Sequence, residues 1–350
     1  MTSVLPHFCW MPLMIKQVIR LIRPGLFLPC FVVENPGPKD VLVRPRYLSV
    51  CAADQRYFQG NRPPEVLAKK LPLALFHEAV GEVLSDPSGK LAPGTFCVLL
   101  PGGVDSSGDD SNYQRGAFFR SSNADGFCQE VMCLDRRELL PIPCEPAWPY
   151  VFTELMSVCC QALRKLEAVT PVSTGTSIGV WGDGAMSFMM ALTLSQLKPD
   201  CPVSVFGKHD AKLINFSFVE HRINIADKTN STNVDIAVEC VGGAGAQGAI
   251  AQAVDRLKPK GTLLLMGVSE TPPIVPTRLV LEKGLTLSGS SRSTSKDFES
   301  AMRLIARPDV QNSLHKIVSL RRSFSTASEL IEIFHKEKNI SYKAALEVNL

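Results

Sequence analysis

Three residues of differing ligand type stand among short β-like runs near the start of the chain. Cys51 ends one run and His77-Glu78 opens another. Thiolate, imidazole and carboxylate are donor types that zinc takes in catalytic sites, where a fourth position stays free for water or substrate. An ion held in that way polarises a carbonyl and stabilises a developing alkoxide. Spacing alone leaves the plainer alternative open, a buried cysteine beside a surface His-Glu pair. A second pattern begins further on, where an apolar run at 177–181 leads into Gly182-Asp-Gly184-Ala-Met-Ser187 and then a helical stretch. In a dinucleotide-binding turn the first glycine permits the tight bend and the second lets a pyrophosphate approach the backbone. The third allows close packing of helix on strand, and the helix N-terminus attracts the phosphates. Ser187 stands where the third glycine would be and is small enough to pack nearly as closely. A glycine pair alone also fits an ordinary β–α turn, but the strand before it and the helix after it favour the dinucleotide site.

The end of the next strand bears on which dinucleotide. An acid there would bind the ribose 2′-hydroxyl of NAD and repel a 2′-phosphate. The sequence instead has Phe206-Gly207-Lys208, with Lys212 one turn later, which offers room and positive charge and favours NADP. Asp210 is the nearby acid that opposes this reading, and a solvated turn lysine is the alternative for Lys208.

These residues need elements to hold them. Up to about residue 150, runs at 41–50, 78–84 and 95–100 alternate with Pro, Gly and Asp, which suggests a barrel or sandwich of short strands. Residues 102–116 are polar and glycine-rich, a long surface loop by composition. From 151 onward, strands at 177–181, 202–206, 234–238, 261–266 and 285–288 alternate with helices at 185–197, 211–218 and 246–257. That alternation implies a parallel sheet with crossover helices. A further helix is expected at 296–307. His209, His221, His315 and His335 have no evident partner in sequence and read as solvated or core residues.

A chain of 350 residues suggests about two domains. The net charge of +3 excludes a nucleic-acid binder that works mainly by charge, and 45% hydrophobic residues exclude a disordered chain. Eleven cysteines, an odd number, cannot all pair within one chain and read as reduced packing residues of a cytoplasmic protein. Residues 1–13 are apolar but lack a basic leader, and Lys16, Arg20 and Arg23 interrupt the run before it reaches membrane-spanning length. Met14 is expected as an alternative start.

Cys51-Ala-Ala-Asp54, His77-Glu78-Ala-Val-Gly-Glu82 and the Gly182 turn, in that order and spread over nearly the whole chain, resemble the zinc-dependent medium-chain dehydrogenases. Within that family the chain is similar to the ribulose-5-phosphate reductases of CDP-ribitol synthesis. The similar stretches include Ser49-Val-Cys-Ala-Ala-Asp-Gln-Arg-Tyr57, Phe119-Arg-Ser-Ser122, Asp125-Gly-Phe127, Thr153-Glu-Leu155, Glu239-Cys-Val-Gly-Gly243 and Gly289-Ser-Ser-Arg292. The resemblance implies an α/β fold in which a GroES-like β-barrel catalytic domain, residues 1–150 and 291–350, carries an inserted Rossmann domain of doubly wound parallel sheet, residues 151–290. It implies one catalytic zinc on Cys51, His77 and Glu78, with Glu154 as a ligand or just behind, and Asp54 orienting His77. It also implies NADP(H) at Gly182, Gly184, Ser187, Gly207, Lys208 and Lys212, with Arg292 near the cofactor.

Two departures from the family pattern matter. Ala53 stands where many members have the first hydroxyl of a proton relay, so the proton must come through Glu154, Tyr57 or water at the metal. Cys128 and Cys133 are the one pair near the place where many members hold four cysteines, so no structural zinc is expected. The activity implied is NADPH-dependent reduction of D-ribulose 5-phosphate to D-ribitol 5-phosphate, supplying CDP-ribitol for teichoic acid or capsule. A sugar phosphate needs a basic partner, because a buried dianion without one is very unfavourable. Arg120 and Arg56 are the candidates, ahead of Arg292 and Lys296. The resemblance further implies a cytoplasmic homodimer, with no nucleic-acid or membrane partner and a cytidylyltransferase as a candidate partner. The rival readings are a polyol dehydrogenase acting on an unphosphorylated sugar and a non-catalytic NADP-binding sensor or scaffold.

Overall fold

The computed structural model describes residues 13–102, 113, 118–145, 147–227, 229–337 and 342–350. The proposed extension ahead of Met14 lies, except for Leu13, outside the described residues. So does the 102–116 loop, except for Gly102 and Tyr113. Strand β1 (Met14–Arg23) turns back at once into β2 (Leu26–Glu34) as an antiparallel hairpin. Its buried side chains, among them Val18, Ile19, Leu21 and Phe27, join the first core. The run of apolar residues broken by Lys16, Arg20 and Arg23 is therefore a strand, in which Lys16 is itself buried and paired with Glu34.

There follow β3 (Val41–Ser49), helices α1 (Ala52–Phe58) and α2 (Pro64–Lys70), β4 (Glu78–Ser85), β5 (Phe96–Leu99), β6 (Met132–Leu134) and β7 (Leu139–Pro141). Helix α3 (Thr153–Val169) is buried along its first half and more, and leads into the second sheet. That sheet is built from β8 (Ile178–Trp181), α4 (Ala185–Leu197), β9 (Val203–Gly207), α5 (Asp210–Leu213), β10 (His221–Asn224), β11 (Val234–Glu239), α6 (Ala246–Arg256), β12 (Leu257–Leu265), α7 (Thr277–Lys283) and β13 (Thr286–Gly289). Its strands all run parallel in the order β10-β9-β8-β11-β12-β13. Counted from β8, this is the 3-2-1-4-5-6 order of dinucleotide-binding sheets, with its reversal between β8 and β11. Strands β8 and β9 are buried at every residue, as strands covered on both faces must be.

The chain closes with α8 (Ser295–Ile305), α9 (Pro308–His315), β14 (Val318–Phe324), α10 (Ala327–Glu337) and β15 (Lys343–Val348). Strands β14 and β15 return to the N-terminal part and complete a seven-stranded sheet in the order β14-β15-β3-β4-β5-β7, with β6 paired to β3. Phe298, Ile305, Val310 and Leu314 of α8 and α9 share a core with α3, α4 and β8. The expected helix at 211–218 stops after Leu213. Phe216 and Phe218 both pack on Phe188, at ring distances of 5.2 and 5.1 Å. Residues two apart do not share a helix face, so packing both rings on Phe188 ends the helix. No helix among the described residues is long and apolar enough to cross a membrane.

Candidate active site

Cys51 follows β3 and caps the N-terminus of α1. Its Sγ accepts from Asp54 N at 3.2 Å, and its own N–H donates to Asp54 Oδ2 at 3.1 Å. Asp54 is fully buried, and its Oδ1 accepts from Phe76 N at 3.1 Å and from Ser121 Oγ at 2.9 Å. One carboxylate thus ties together α1, the segment before His77 and the loop at 119–123. Asp54 is expected to orient the His77 imidazole, and the structure shows the partners that it has besides. Both of its oxygens serve other donors, and it acts through the backbone of Phe76, one residue earlier. Phe76 has φ +74°, a conformation that costs an L-residue roughly 1–2 kcal/mol. Its buried ring, 5.8 Å from that of Phe334, helps hold it there.

His77 Nδ1 lies 3.9 Å from Cys51 Sγ, and the imidazole leans on Phe119 at 5.4 Å. Glu78, at the start of β4, is buried. Its Oε1 accepts from Lys343 Nζ of β15 at 2.6 Å, and its Oε2 is buried with no hydrogen-bond partner. Donor atoms of Cys51, His77 and Glu78 all lie within 4.8 Å of one another, the one such group of three or more among the described residues. Burial, reinforced by the charges of Asp54 and Glu78, pushes the Cys51 thiol well above its ordinary pKa. An orphaned carboxylate oxygen beside a thiol and an imidazole is a donor set short of a cation, and its soft and borderline ligands suit zinc. Glu154, in the first turn of α3, lies outside this close group. Burial raises its carboxyl to about 7, with His77 opposing and Glu78 adding to the rise. Cys128 is buried and Cys133 half-buried, and neither joins a group of three ligand side chains among the described residues.

The second feature is a cleft of about 470 Å³ at the carboxyl ends of β8, β9 and β11. Gly182, Gly184, Gly207 and Lys208 line it, as do Asp183, Phe206, Cys240 and Gln252. Gly182 has φ +125°, and a Cβ there would lie 2.9 Å from Ser187 Oγ. Ser187 is buried and spends its hydroxyl on its own turn, accepting from Gly184 N at 3.0 Å. It shapes the turn and does not line the cleft. A Cβ on Gly207 would meet Asp183 Cβ at 2.8 Å and Leu213 Cδ2 at 2.7 Å, so this position excludes the acid that NAD would require. Lys208 is exposed at the rim. Asp210, the acid that opposed the NADP reading, accepts from Asn224 Nδ2 at 2.8 Å. Lys212 is turned to Tyr342, with its ammonium 6.0 Å from that ring, and is not among the lining residues. Arg292 lies just beyond β13 with its guanidinium 5.6 Å from the Phe119 ring, so Phe119 stands between His77 and the end of the parallel sheet.

The basic candidates differ in their pairing. Arg120 pairs with Glu138 at 3.2 Å, both largely buried, and its guanidinium lies over Phe118 and Phe127. Arg56 shares Glu270 with Arg62, at 3.5 and 2.8 Å from the same Oε1. Lys296 is exposed on α8.

Comparison with known proteins places this arrangement. Residues 37–144 match the alcohol dehydrogenase GroES-like domain, and residues 203–307 match the zinc-binding dehydrogenase domain. Ribulose-5-phosphate reductase 1 of Staphylococcus aureus (strain NCTC 8325 / PS 47) is 41% identical over 94% of this chain and 97% of its own length. The ribulose-5-phosphate reductase of Bacillus spizizenii is 39% identical over the same shares. The chain belongs to the ribulose-5-phosphate reductase family of zinc-binding dehydrogenases. The crystal structure of S. aureus TarJ in complex with NADPH superposes with a TM-score of 0.85 at 38% identity, over 96% of this chain and all of that one (100%). L-idonate 5-dehydrogenase of Escherichia coli, at 16% identity, shares the fold, with a TM-score of 0.82 over 96% of this chain and 99% of its own.

Several functional neighbours of this dehydrogenase carry no local sequence signal. Lys343 reaches Glu78 from 265 positions away, and Ser121 reaches Asp54 from 67. Asp183 was in view within the glycine turn, but its role was not. Its Oδ2 accepts from Lys208 N at 2.7 Å and His209 N at 2.8 Å, and lies 2.9 Å from His209 Nδ1. His209 is therefore a partner of the cofactor turn and not a lone solvated side chain. His335 and His315 lie edge-on to Phe58 and Trp148, and His221 lies 3.4 Å from Glu220.

Proposed function

We propose that this dehydrogenase reduces D-ribulose 5-phosphate to D-ribitol 5-phosphate with NADPH, using zinc held by Cys51, His77 and Glu78. The observation that carries the reading is the close three-donor group with its orphaned Glu78 oxygen. It is linked through Phe119 and Arg292 to the end of the parallel sheet. The substrate follows from the relatives named ribulose-5-phosphate reductase, and NADPH from the TarJ complex together with Gly207 and Lys208 here.

When bound, zinc supplies a Lewis acid for the carbonyl oxygen, and the nicotinamide supplies the hydride. The chain does the rest. Gly182 and Gly184 keep the backbone bare for the pyrophosphate at the start of α4. Lys208, at the rim of the cleft, would supply the charge for a 2′-phosphate. Lys343 neutralises one oxygen of Glu78 and fixes the carboxylate on the donor side of the site. Ala53 has no hydroxyl to pass a proton, so the new alcohol would draw its proton from Glu154 or Tyr57, both buried, or from water at the metal site. The product, ribitol 5-phosphate, would supply a cytidylyltransferase making CDP-ribitol for teichoic acid or capsule, in the cytoplasm, from a homodimer. Sheet membership supports the division into 1–150 with 291–350 and 151–290, while α8 and α9 pack on the 151–290 side.

The test is turnover of metal-analysed protein with ribulose 5-phosphate or ribulose and with NADPH or NADH. The expected result is turnover chiefly with the phosphorylated ketose and NADPH. Equal rates on ribulose would overturn the substrate, and zinc-free protein indifferent to Cys51→Ser would point to a non-catalytic NADP binder.

A further inference from the structure

We propose that Arg56 and Arg62 together form the subsite for the substrate phosphate, and that Glu270 is a resident counter-ion which the phosphate displaces. This rests on the ketose-phosphate reading above.

Arg56 lies on α1 five residues after the Cys51 cap, an axial rise of about 7.5 Å, and is near enough for its charge to interact with Cys51. A ketose with its C2 carbonyl at the Cys51–His77–Glu78 group carries its phosphorus five bonds away, roughly 6 Å when extended. The two spans are of the same order. Arg62 is fixed beside Arg56 by packing, its guanidinium 4.8 Å from the buried Tyr57 ring.

The charges at this place do not balance. Two guanidinium groups share a single carboxylate oxygen, Glu270 Oε1. Burial, then the charge of Arg62, lower the pKa of Arg56, and Glu270 offsets this only in part. The Nε groups of both arginines are buried with no hydrogen-bond partner. Two cations with two idle donors suit a dianion whose oxygens accept several hydrogen bonds at once. Glu270 comes from the segment after β12, and 40% of its side chain is exposed, against 25% and 18% for Arg56 and Arg62. It can swing into water, and an exposed pair of this kind contributes little that would be lost. Arg120 also has a buried Nε without a partner, but it and Glu138 pair one to one, so no positive charge is left over there.

Arg62→Met keeps apolar bulk on Tyr57 and removes the charge, while Glu270→Gln removes the competitor. For Arg62→Met the ratio of kcat/KM on ribulose 5-phosphate to that on ribulose is expected to fall at least tenfold, mainly through KM. Calorimetry should show ribitol 5-phosphate binding weakened to match. For Glu270→Gln, ribitol 5-phosphate and inorganic phosphate should both bind several-fold more tightly than to wild type. An Arg62→Met enzyme that keeps the wild-type ratio, or a Glu270→Gln enzyme that binds phosphate no more tightly, overturns the subsite. If wild type itself shows no preference for ribulose 5-phosphate, the substrate reading fails. Inorganic phosphate titrated into wild type and Glu270→Gln then still decides the subsite, tighter binding to the variant supporting it and equal binding overturning it.

Discussion

The nucleotide cleft and the metal group are built on opposite plans. The cleft is made of backbone, with one short turn, Gly182 to Ser187, supplying the bend, the approach and the helix start. The metal group is made of side chains. Cys51 comes from a helix cap and His77-Glu78 from a strand start, and they are braced by Ser121 and by Lys343 near the C-terminus. A backbone site should fail when a side chain is added where there is no room. A side-chain site should fail when a donor, or the partner that aims it, is taken away.

The largest effect is therefore expected from Cys51→Ser. Losing a thiolate ligand forfeits several kcal/mol of transition-state stabilisation, roughly a 10³-fold loss of kcat/KM. Zinc per chain should fall with it, while the Kd for NADPH stays within twofold. If NADPH binding collapsed as well, the two sites would not be separable in the way their construction implies. Gly207→Asp is the mirror experiment. Its Cβ would fall within 2.8 Å of Asp183 Cβ, and its charge would face the 2′-phosphate. A loss of about 100-fold in NADPH affinity, some 2.7 kcal/mol, is expected, with zinc content unchanged. Fluorescence titration of NADPH and metal analysis on one preparation check both halves.

The same contrast decides what could be read from the sequence. Five of the six parallel strands were legible as short apolar runs, and a glycine turn announces itself within six residues, whereas β10, with His221 and Arg222 exposed, shows no such run. The types of Cys51, His77 and Glu78 suggested a metal, but their convergence is a property of β3 and β4 pairing, which spacing does not encode. Lys343 and Glu270 were invisible for the same reason, and Ser121 was in view only within the 119–122 stretch, since each meets its partner through the fold alone. Strand β1 was obscured because Arg20 and Arg23, and a Lys16 buried against Glu34, interrupt the apolar run. Helix α5 was overextended because the demand to pack Phe216 and Phe218 against Phe188 comes from another element.

Asp54→Asn tests the bracing of the metal group without touching a donor. The carboxylate accepts from Cys51 N, Phe76 N and Ser121 Oγ, and an amide of the same shape turns an N–H toward at least one of these donors. Leaving buried N–H groups unpaired costs about 1–3 kcal/mol, and loss of such a brace typically costs 10–100-fold in metal affinity. Chelator competition and the urea midpoint should move together. A lower midpoint with unchanged zinc affinity would mean that Asp54 only stabilises the fold.

Lys208→Ala should give the smallest effect, and it probes the one side chain on which the backbone-built cleft is expected to depend. The main chain of Lys208 is already fixed by Asp183 Oδ2 at 2.7 Å, so truncation leaves the turn intact and removes only the charge. At an exposed rim that charge is worth about 1 kcal/mol against a phosphate, or roughly a fivefold rise in KM for NADPH. NADH has no 2′-phosphate, and its KM should stay within twofold. Lys212→Ala supplies the internal comparison, because the Lys212 ammonium lies over Tyr342 and its loss should leave both cofactors unaffected. Raising salt from low to physiological strength should shrink the Lys208 effect, since an exposed pair is screened. Equal losses for NADPH and NADH would assign Lys208 to the pyrophosphate and make cofactor choice a matter of the space at Gly207 alone.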